Sequence, residues 1–213
     1  MATVARTSPL EQQIVLHDIA WDTYERLLSD HVDSSVPRFT YDHGELEILS
    51  PSTEHEEDNR TLALLVEIIA LELSLDVRNV GSMTFKRQRL QQGFEPDSSF
   101  YIQNEPRVRG RRQIDLGIDP PPDLIIEIEI TRSAIPKLPI YAAMNVPEVW
   151  RWDGERVIIL LLADGDYTVA SRSVALPLLT AAVLSRFLLE SRSLKRTTWV
   201  QQIRDWALTS GAS

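Results

Sequence analysis

The chain has 213 residues, 43% of them hydrophobic, which is enough for one domain with a sizeable core, or for one domain with an appendage. It contains no cysteine, which excludes disulfides, thiolate zinc sites and cysteine nucleophiles, and its longest apolar run, Val157 to Ala163, is too short to span a bilayer. A formal net charge of -9 argues against tight non-specific binding to nucleic acid. Together with an N-terminus, Met1 to Arg6, that lacks the apolar stretch of a signal peptide, these features predict a cytoplasmic protein with no membrane partner.

In chain order, residues 1–13 show no periodicity and read as a loose lead-in. Asp18 caps a predicted short helix that runs to about Ser29. A hairpin follows, with strands Pro37–Tyr41 and Glu45–Leu49 about a turn at Asp42-His43-Gly44. Leu46 and Ile48 alternate there with Glu45 and Glu47, which places both glutamates on the solvent face. Thr53 and Glu56 have capping-box spacing at the start of a long helix to about Leu73, and its acidic first turns suit a helix N-terminus. The second half of that helix is apolar nearly all round, as expected of a helix buried against a sheet.

Short extended pieces come next, at 77–80, 84–87 and 98–102, followed by a connection over 103–112. Leu124 to Ile130 is a dense β-branched strand, and Pro136 to Met144 a short helix with prolines in its first turn. Residues 148–169 read as a meander with turns at Asp153-Gly154 and Asp164-Gly165. The tail, from about Thr180 to Ala207, reads as two helices. This order predicts an α/β or α+β domain with a mixed central sheet flanked by helices.

The chemistry concentrates in three places. Asp97 follows Pro96 at a strand start, Glu127 and Glu129 lie on the Leu124–Ile130 strand, and Lys137 opens the next helix. Alternation puts Asp123, Ile125, Glu127 and Glu129 on one face of their strand. A carboxylate pair on a covered strand is costly unless a metal or cation compensates it. Hard oxygen ligands from two strands suit Mg²⁺ or Mn²⁺ with positions left for water and phosphate. Such an ion neutralises a scissile phosphate and activates water, and a nearby lysine stabilises the developing charge.

Other groups have two readings each. His55, in the first turn of the long helix, contacts phosphate or orients a ligand, or is a partly exposed helix-end residue. Glu67 assists the metal or points off the core edge. Between Arg78 and Arg112 eight Lys/Arg meet three Asp/Glu, a local +5 against -14 elsewhere. Within that band, Arg107, Arg109, Arg111 and Arg112 grip a DNA backbone or cover acids on a partner subunit. Trp150 and Trp152 alternate on a strand, at least one of them in the core. No Ser/His/Asp order, phosphate loop or dinucleotide signature is present.

Several segments together resemble a known family. They are Gly44-Glu-Leu-Glu-Ile-Leu-Ser-Pro51 with His55, Glu95-Pro-Asp97 to Asn104, Arg107-Val-Arg-Gly-Arg, Pro120 to Thr131 with Asp-Leu-Ile-Ile-Glu127 inside it, Lys137-Leu-Pro-Ile-Tyr-Ala-Ala, and Val146-Pro-Glu-Val-Trp150. Over roughly residues 15–190 they resemble the Uma2 family, abundant in cyanobacteria, of the PD-(D/E)xK restriction-endonuclease-like superfamily. The resemblance implies a restriction-endonuclease-like domain over 14–190, with the lead-in before it and a helical extension over 191–213. It implies metal carboxylates at Asp97 and Glu127, with the Ile128 carbonyl as a third ligand. The superfamily's lysine stands two residues after the glutamate, where this chain has Glu129; Uma2-like sequences commonly carry it on the following helix, at Lys137 here. Glu129 is then a further metal carboxylate, for a second ion, or else simply pairs with Lys137 in a site without catalysis. The implied activity is Mg²⁺-dependent cleavage of DNA by a homodimer, whose twofold axis matches the duplex. The competing reading is a nuclease fold without catalysis that binds DNA or another protein.

Overall fold

The chain forms two sheets in a computed structural model that describes residues 11–32, 34–130 and 133–211. The first sheet is antiparallel. It contains β1 (Gln12–Leu16), β2 (Arg38–Asp42), β3 (Glu45–Ser50), β5 (Phe85–Arg87) and β6 (Gln92–Phe94), in the order β1-β3-β2-β6-β5. The second contains β4 (Arg78–Asn79), β7 (Ser98–Tyr101), β8 (Leu124–Ile128), β9 (Glu148–Trp152), β10 (Val157–Ala163) and β11 (Asp166–Ala170), in the order β11-β10-β9-β8-β7-β4. Among the described residues six α-helices accompany them: α1 (Trp21–Asp30), α2 (Thr53–Glu72), α3 (Glu105–Val108), α4 (Lys137–Ala143), α5 (Ala181–Ser191) and α6 (Arg196–Gly211). None of the described helices is long and apolar enough to cross a membrane.

The class is α+β, as expected, with a mixed sheet flanked by helices and a helical C-terminal segment. One expected sheet is two, however, because β1 and β6 escape a reading by pattern. The β6 sequence Gln-Gly-Phe has no strand signature of its own; pairing with β2 and β5 and complete burial of Phe94 make it a strand. Gly93 is required there, since any side chain at that position would collide with the ring of Tyr24. The lead-in expected over 1–13 lies largely outside the described residues, and strand structure begins at Gln12.

Side-chain caps close the N-termini of α2 and α5, at Ser52 and Thr180, while α1, α3 and α4 have none. Ser52, not Thr53, is the N-cap of α2, its hydroxyl accepting from the His55 N–H at 3.2 Å. Asp18 caps nothing; it adopts a left-handed conformation, and α1 starts three residues later. The predicted connection after β7 contains the single turn α3, and the strand predicted to run to Ile130 ends at Ile128.

The second sheet is covered on both faces. Leu124, Ile126 and Ile128 of β8, with Trp150 and Trp152 of β9, pack against Leu62, Leu65, Val66 and Ile69 of α2 and against α5 and α6. Ile125 and Val149 point the other way, to Ile140, Tyr141 and Met144 on and after α4. Each fully buried aliphatic side chain in this core contributes about 1.5–3 kcal/mol. β8 and β9 are parallel, so the chain must cross over between them, and α4 lies on that crossover. Period-two alternation therefore turns Glu127, like Ile125, toward α4.

Candidate active site

Asp97 sits just before β7 and is 3% exposed. Its Oδ2 accepts from the Ile128 N–H at 2.6 Å, which ties it to the end of β8. Its Oδ1 accepts from His55 Nε2 at 2.8 Å and from Arg38 at the start of β2. Arg38 also bonds Glu56 on α2, and His55 Nδ1 lies 2.6 Å from Glu11 Oε1, near enough to pair electrostatically but off the line of a good hydrogen bond. Asn59, one turn after His55 on α2, donates to the Asp97 carbonyl at 3.0 Å and accepts from Ser98 Oγ at 2.7 Å. The helix thus holds both the side chain and the backbone of Asp97.

The electrostatics follow from this geometry. Burial alone would raise the Asp97 carboxyl, but the His55 hydrogen bond and the Arg38 charge outweigh it and bring it down to about 2. Burial opposes the His55 charge; the hydrogen bond to Asp97 and the nearby Glu11 carboxylate overcome that and hold the imidazole up at about 9. His55 is therefore buried and charged, not the partly exposed helix-end residue.

Glu127 and Lys137 form the second half. Lys137 Nζ reaches Glu127 Oε2 at 2.8 Å, and Tyr141, one turn further along α4, donates its hydroxyl to Oε1 at 2.6 Å. Burial raises the Glu127 carboxyl, Lys137 opposes the shift, and the Asp97 charge adds to it. Lys137 stays protonated: burial disfavours its charge, but Glu127 and Asp97 raise it further. Glu127, Lys137 and Tyr141 line a cleft of about 850 Å³ that also takes in Ile128, Glu129 and Arg151. Asp97 stands behind this wall.

Glu47 departs most from its expected place. It is 1% exposed, on no solvent face, and its carboxylate accepts from the N–H of Ala134 at 2.7 Å, the N–H of Ile135 at 3.2 Å and the Ser133 hydroxyl. It thereby pins the segment entering α4, and with it Lys137. Glu45, by contrast, is only half-buried and bonds His17. Asp123 precedes β8 rather than sharing a strand face with Glu127, and is consumed by Ile102 and Asn104.

The remaining candidates are placed as follows. Glu129 lies past the end of β8, with Oε2 3.2 Å from Arg151 Nη1. Glu67 is exposed and accepts from Asn79, away from the cleft. Arg109 pairs with Glu105 and Asp76, and Arg111 with Asp119, within the chain. Arg107 and Arg112 have no acidic partner among the described residues, and none of these four arginines lines the cleft. Trp150 and Trp152 are both fully buried. Arg38, Asn59 and Tyr141 carry no sequence mark of a site role, although Lys137 and Tyr141 stand at i, i+4, a spacing that puts them on one helix face.

Among the described residues no group of three or more acids or histidines is gathered as a metal cage. Mg²⁺ does not require one, since it commonly keeps several waters and uses one or two carboxylates with substrate phosphates. A carboxylate has about four lone-pair positions. Asp97 uses three, on Ile128, His55 and Arg38, and Glu127 two, on Lys137 and Tyr141. Oxygen capacity therefore remains on both, and Glu127 presents its share to the cleft. The donor chemistry fits Mg²⁺ or Mn²⁺.

No functionally curated protein matches the chain. A family model described as "Putative restriction endonuclease", Uma2, matches residues 21–190 and so takes in Asp97, Glu127 and Lys137. With the match covering most of its length, this chain belongs to the Uma2 family.

Proposed function

We propose that this protein is a Mg²⁺- or Mn²⁺-dependent endonuclease that hydrolyses phosphodiester bonds of DNA in the cleft at Glu127. One observation carries the reading: Lys137 from α4 converges on Glu127 of β8 at 2.8 Å, beside an Asp97 that is bonded to the next residue of the same strand. Membership of a family described as restriction endonucleases supports it. Glu127 and Asp97 would hold the dication, which when bound neutralises phosphate charge and acidifies water. Lys137 orients the attacking water and stabilises charge on the phosphate oxygens. Tyr141 fixes the Glu127 carboxylate, while Arg38 and His55 keep Asp97 an anion. Arg107 and Arg112 contact the DNA backbone outside the cleft. Cleavage of both strands calls for a homodimer, acting in the cytoplasm.

The test is plasmid cleavage. Purified protein should nick and linearise supercoiled DNA with Mg²⁺ or Mn²⁺, and do neither in EDTA or as Asp97→Asn or Glu127→Gln. Failure to cut duplex, single-stranded and branched DNA with either metal refutes the reading.

A second reading has its own observation. Each buried carboxylate already has a protein cation, Arg38 and His55 at Asp97 and Lys137 at Glu127, as in a nuclease fold that works without catalysis as a DNA-binding or protein-interaction module. Calorimetric titration with Mn²⁺ separates the two. Micromolar binding that disappears in Glu127→Ala eliminates the second.

A further inference from the structure

We infer that Arg151 is the residue of the cleft that grips a substrate phosphate, and that Glu129 positions it; the inference rests on the endonuclease reading above. Parallel pairing of β8 with β9 sets Arg151 directly beside Glu127. In-register neighbours project to the same face of a sheet. Trp150 and Trp152 take the opposite face, against α2, and leave Arg151 on the cleft side.

Among the described residues lining the cleft, Lys137 and Arg151 are the cations. Lys137 is committed to Glu127, and its side chain is 12% exposed. The Arg151 side chain is 33% exposed and its one acidic contact is the looser one, Nη1 to Glu129 Oε2 at 3.2 Å. Its Nε is buried without any partner. A guanidinium carries five N–H donors, and here most of them have no acceptor. The charge is thus held at the cleft with its terminal Nη donors largely unspent, while the buried Nε stays away from solvent.

A phosphate is the anion this arrangement suits. Its oxygens match the planar fork of arginine in a way that an ammonium group does not reproduce. The other acids of the cleft would repel it, so an entering phosphate needs both the dication side at Glu127 and a free cation alongside. Glu129 then has a use that requires no metal. It anchors the guanidinium through Nη1, beside Glu127, which is in register with Arg151.

Two measurements test this on the intact protein: anisotropy of a fluorescein-labelled DNA duplex in Ca²⁺ buffer over a salt series, and plasmid cleavage kinetics in Mg²⁺. Arg151→Gln should weaken duplex binding about tenfold and reduce the slope of log K against log salt by about 1. Arg151→Lys should keep the slope and lose part of the affinity. Glu129→Gln should raise KM several-fold with little change in kcat, and should add nothing in an Arg151→Gln background. Unchanged affinity and slope in Arg151→Gln, with the wild type cutting DNA, overturns the role of Arg151 and leaves the endonuclease reading standing. A wild type that neither binds nor cuts DNA overturns both. Should Arg151→Gln fail to fold by thermal melting, Arg151→Lys decides, and wild-type affinity and KM in that variant overturn the forked grip.

Discussion

Lys137 Nζ stands 2.8 Å from Glu127 Oε2 because a third residue, Glu47 of β3, holds the segment that delivers α4 to β8. The pair joins a helix to the second sheet and is supported from the first. Neither member is reachable from the other by strand or helix periodicity.

Removing one charge of this pair should cost more than removing both. Lys137→Met leaves Glu127 buried without its cation, and the expected loss is about 3–5 kcal/mol at neutral pH. The double variant Lys137→Met/Glu127→Gln should recover most of that loss, whereas DNA cleavage should be absent from both. Urea unfolding of the two singles and the double gives the coupling. A Lys137→Met protein as stable as the wild type would falsify the pairing.

His55 should make stability depend on pH at the alkaline end. Its folded value, about 9, lies above the ordinary 6.5, so its contribution is complete below about 6.5 and is lost as pH rises through 9. The shift corresponds to something on the order of 3 kcal/mol. Asp97 acts at the other end: with a folded value of about 2 against 3.8, its contribution is present above 3.8 and disappears as pH falls through 2. Denaturant midpoints of the wild type and His55→Gln, followed from pH 6 to pH 10, should converge toward the top of that range. Parallel curves would mean that the charge on His55 is not the source.

Glu47→Ala should loosen the approach to Lys137. The Ala134 and Ile135 N–H groups lose their acceptor, at an expected cost of about 1–3 kcal/mol. Hydrogen exchange at these two amides should quicken, and cleavage should slow in step. Glu45→Ala, two residues away on the same strand but only half-buried, should change stability by no more than about 0.5 kcal/mol. Equal effects at the two positions would contradict the anchoring role.

Trp199 of α6 is fully buried against α2 and α5, with Ile203 beside it. Trp199→Ala should therefore destabilise the whole protein by about 3–5 kcal/mol. Leu208→Ala, at an exposed position of the same helix, should be nearly neutral. If thermal unfolding of Trp199→Ala matches the wild type, α6 is an appendage rather than part of the core.

Much of the architecture was legible in the chain. The meander is marked by Asp153-Gly154 and Asp164-Gly165, and both glycines take the positive φ that such turns require. The apolar second half of α2 and the β-branched run of β8 announce burial on their own. These signals are local: they depend on propensities and periodicities within one segment, which survive whatever the rest of the chain does. β6, Gln-Gly-Phe, has no such signal, and the Ile14-Val15-Leu16 run of β1 is too short to stand out; pairing with neighbours makes both of them strands.

The sequence by itself marked Asp97, Glu127 and Lys137 as the candidates for chemistry, and Glu127 as alternating with the apolar residues of its strand. It could not determine which face is covered. Glu45 and Glu47 alternate identically, yet one meets water and the other is sealed by residues 86 to 88 positions later. Arg38 and Asp97 meet across 59 positions, and Glu129, two residues from Glu127 on a regular strand, is drawn to Arg151 once that strand ends. In each case the deciding partner comes from a distant segment. The cost of a buried charge depends on that partner, so only the tertiary structure decides which acids are anchors, which are paired, and which face the cleft.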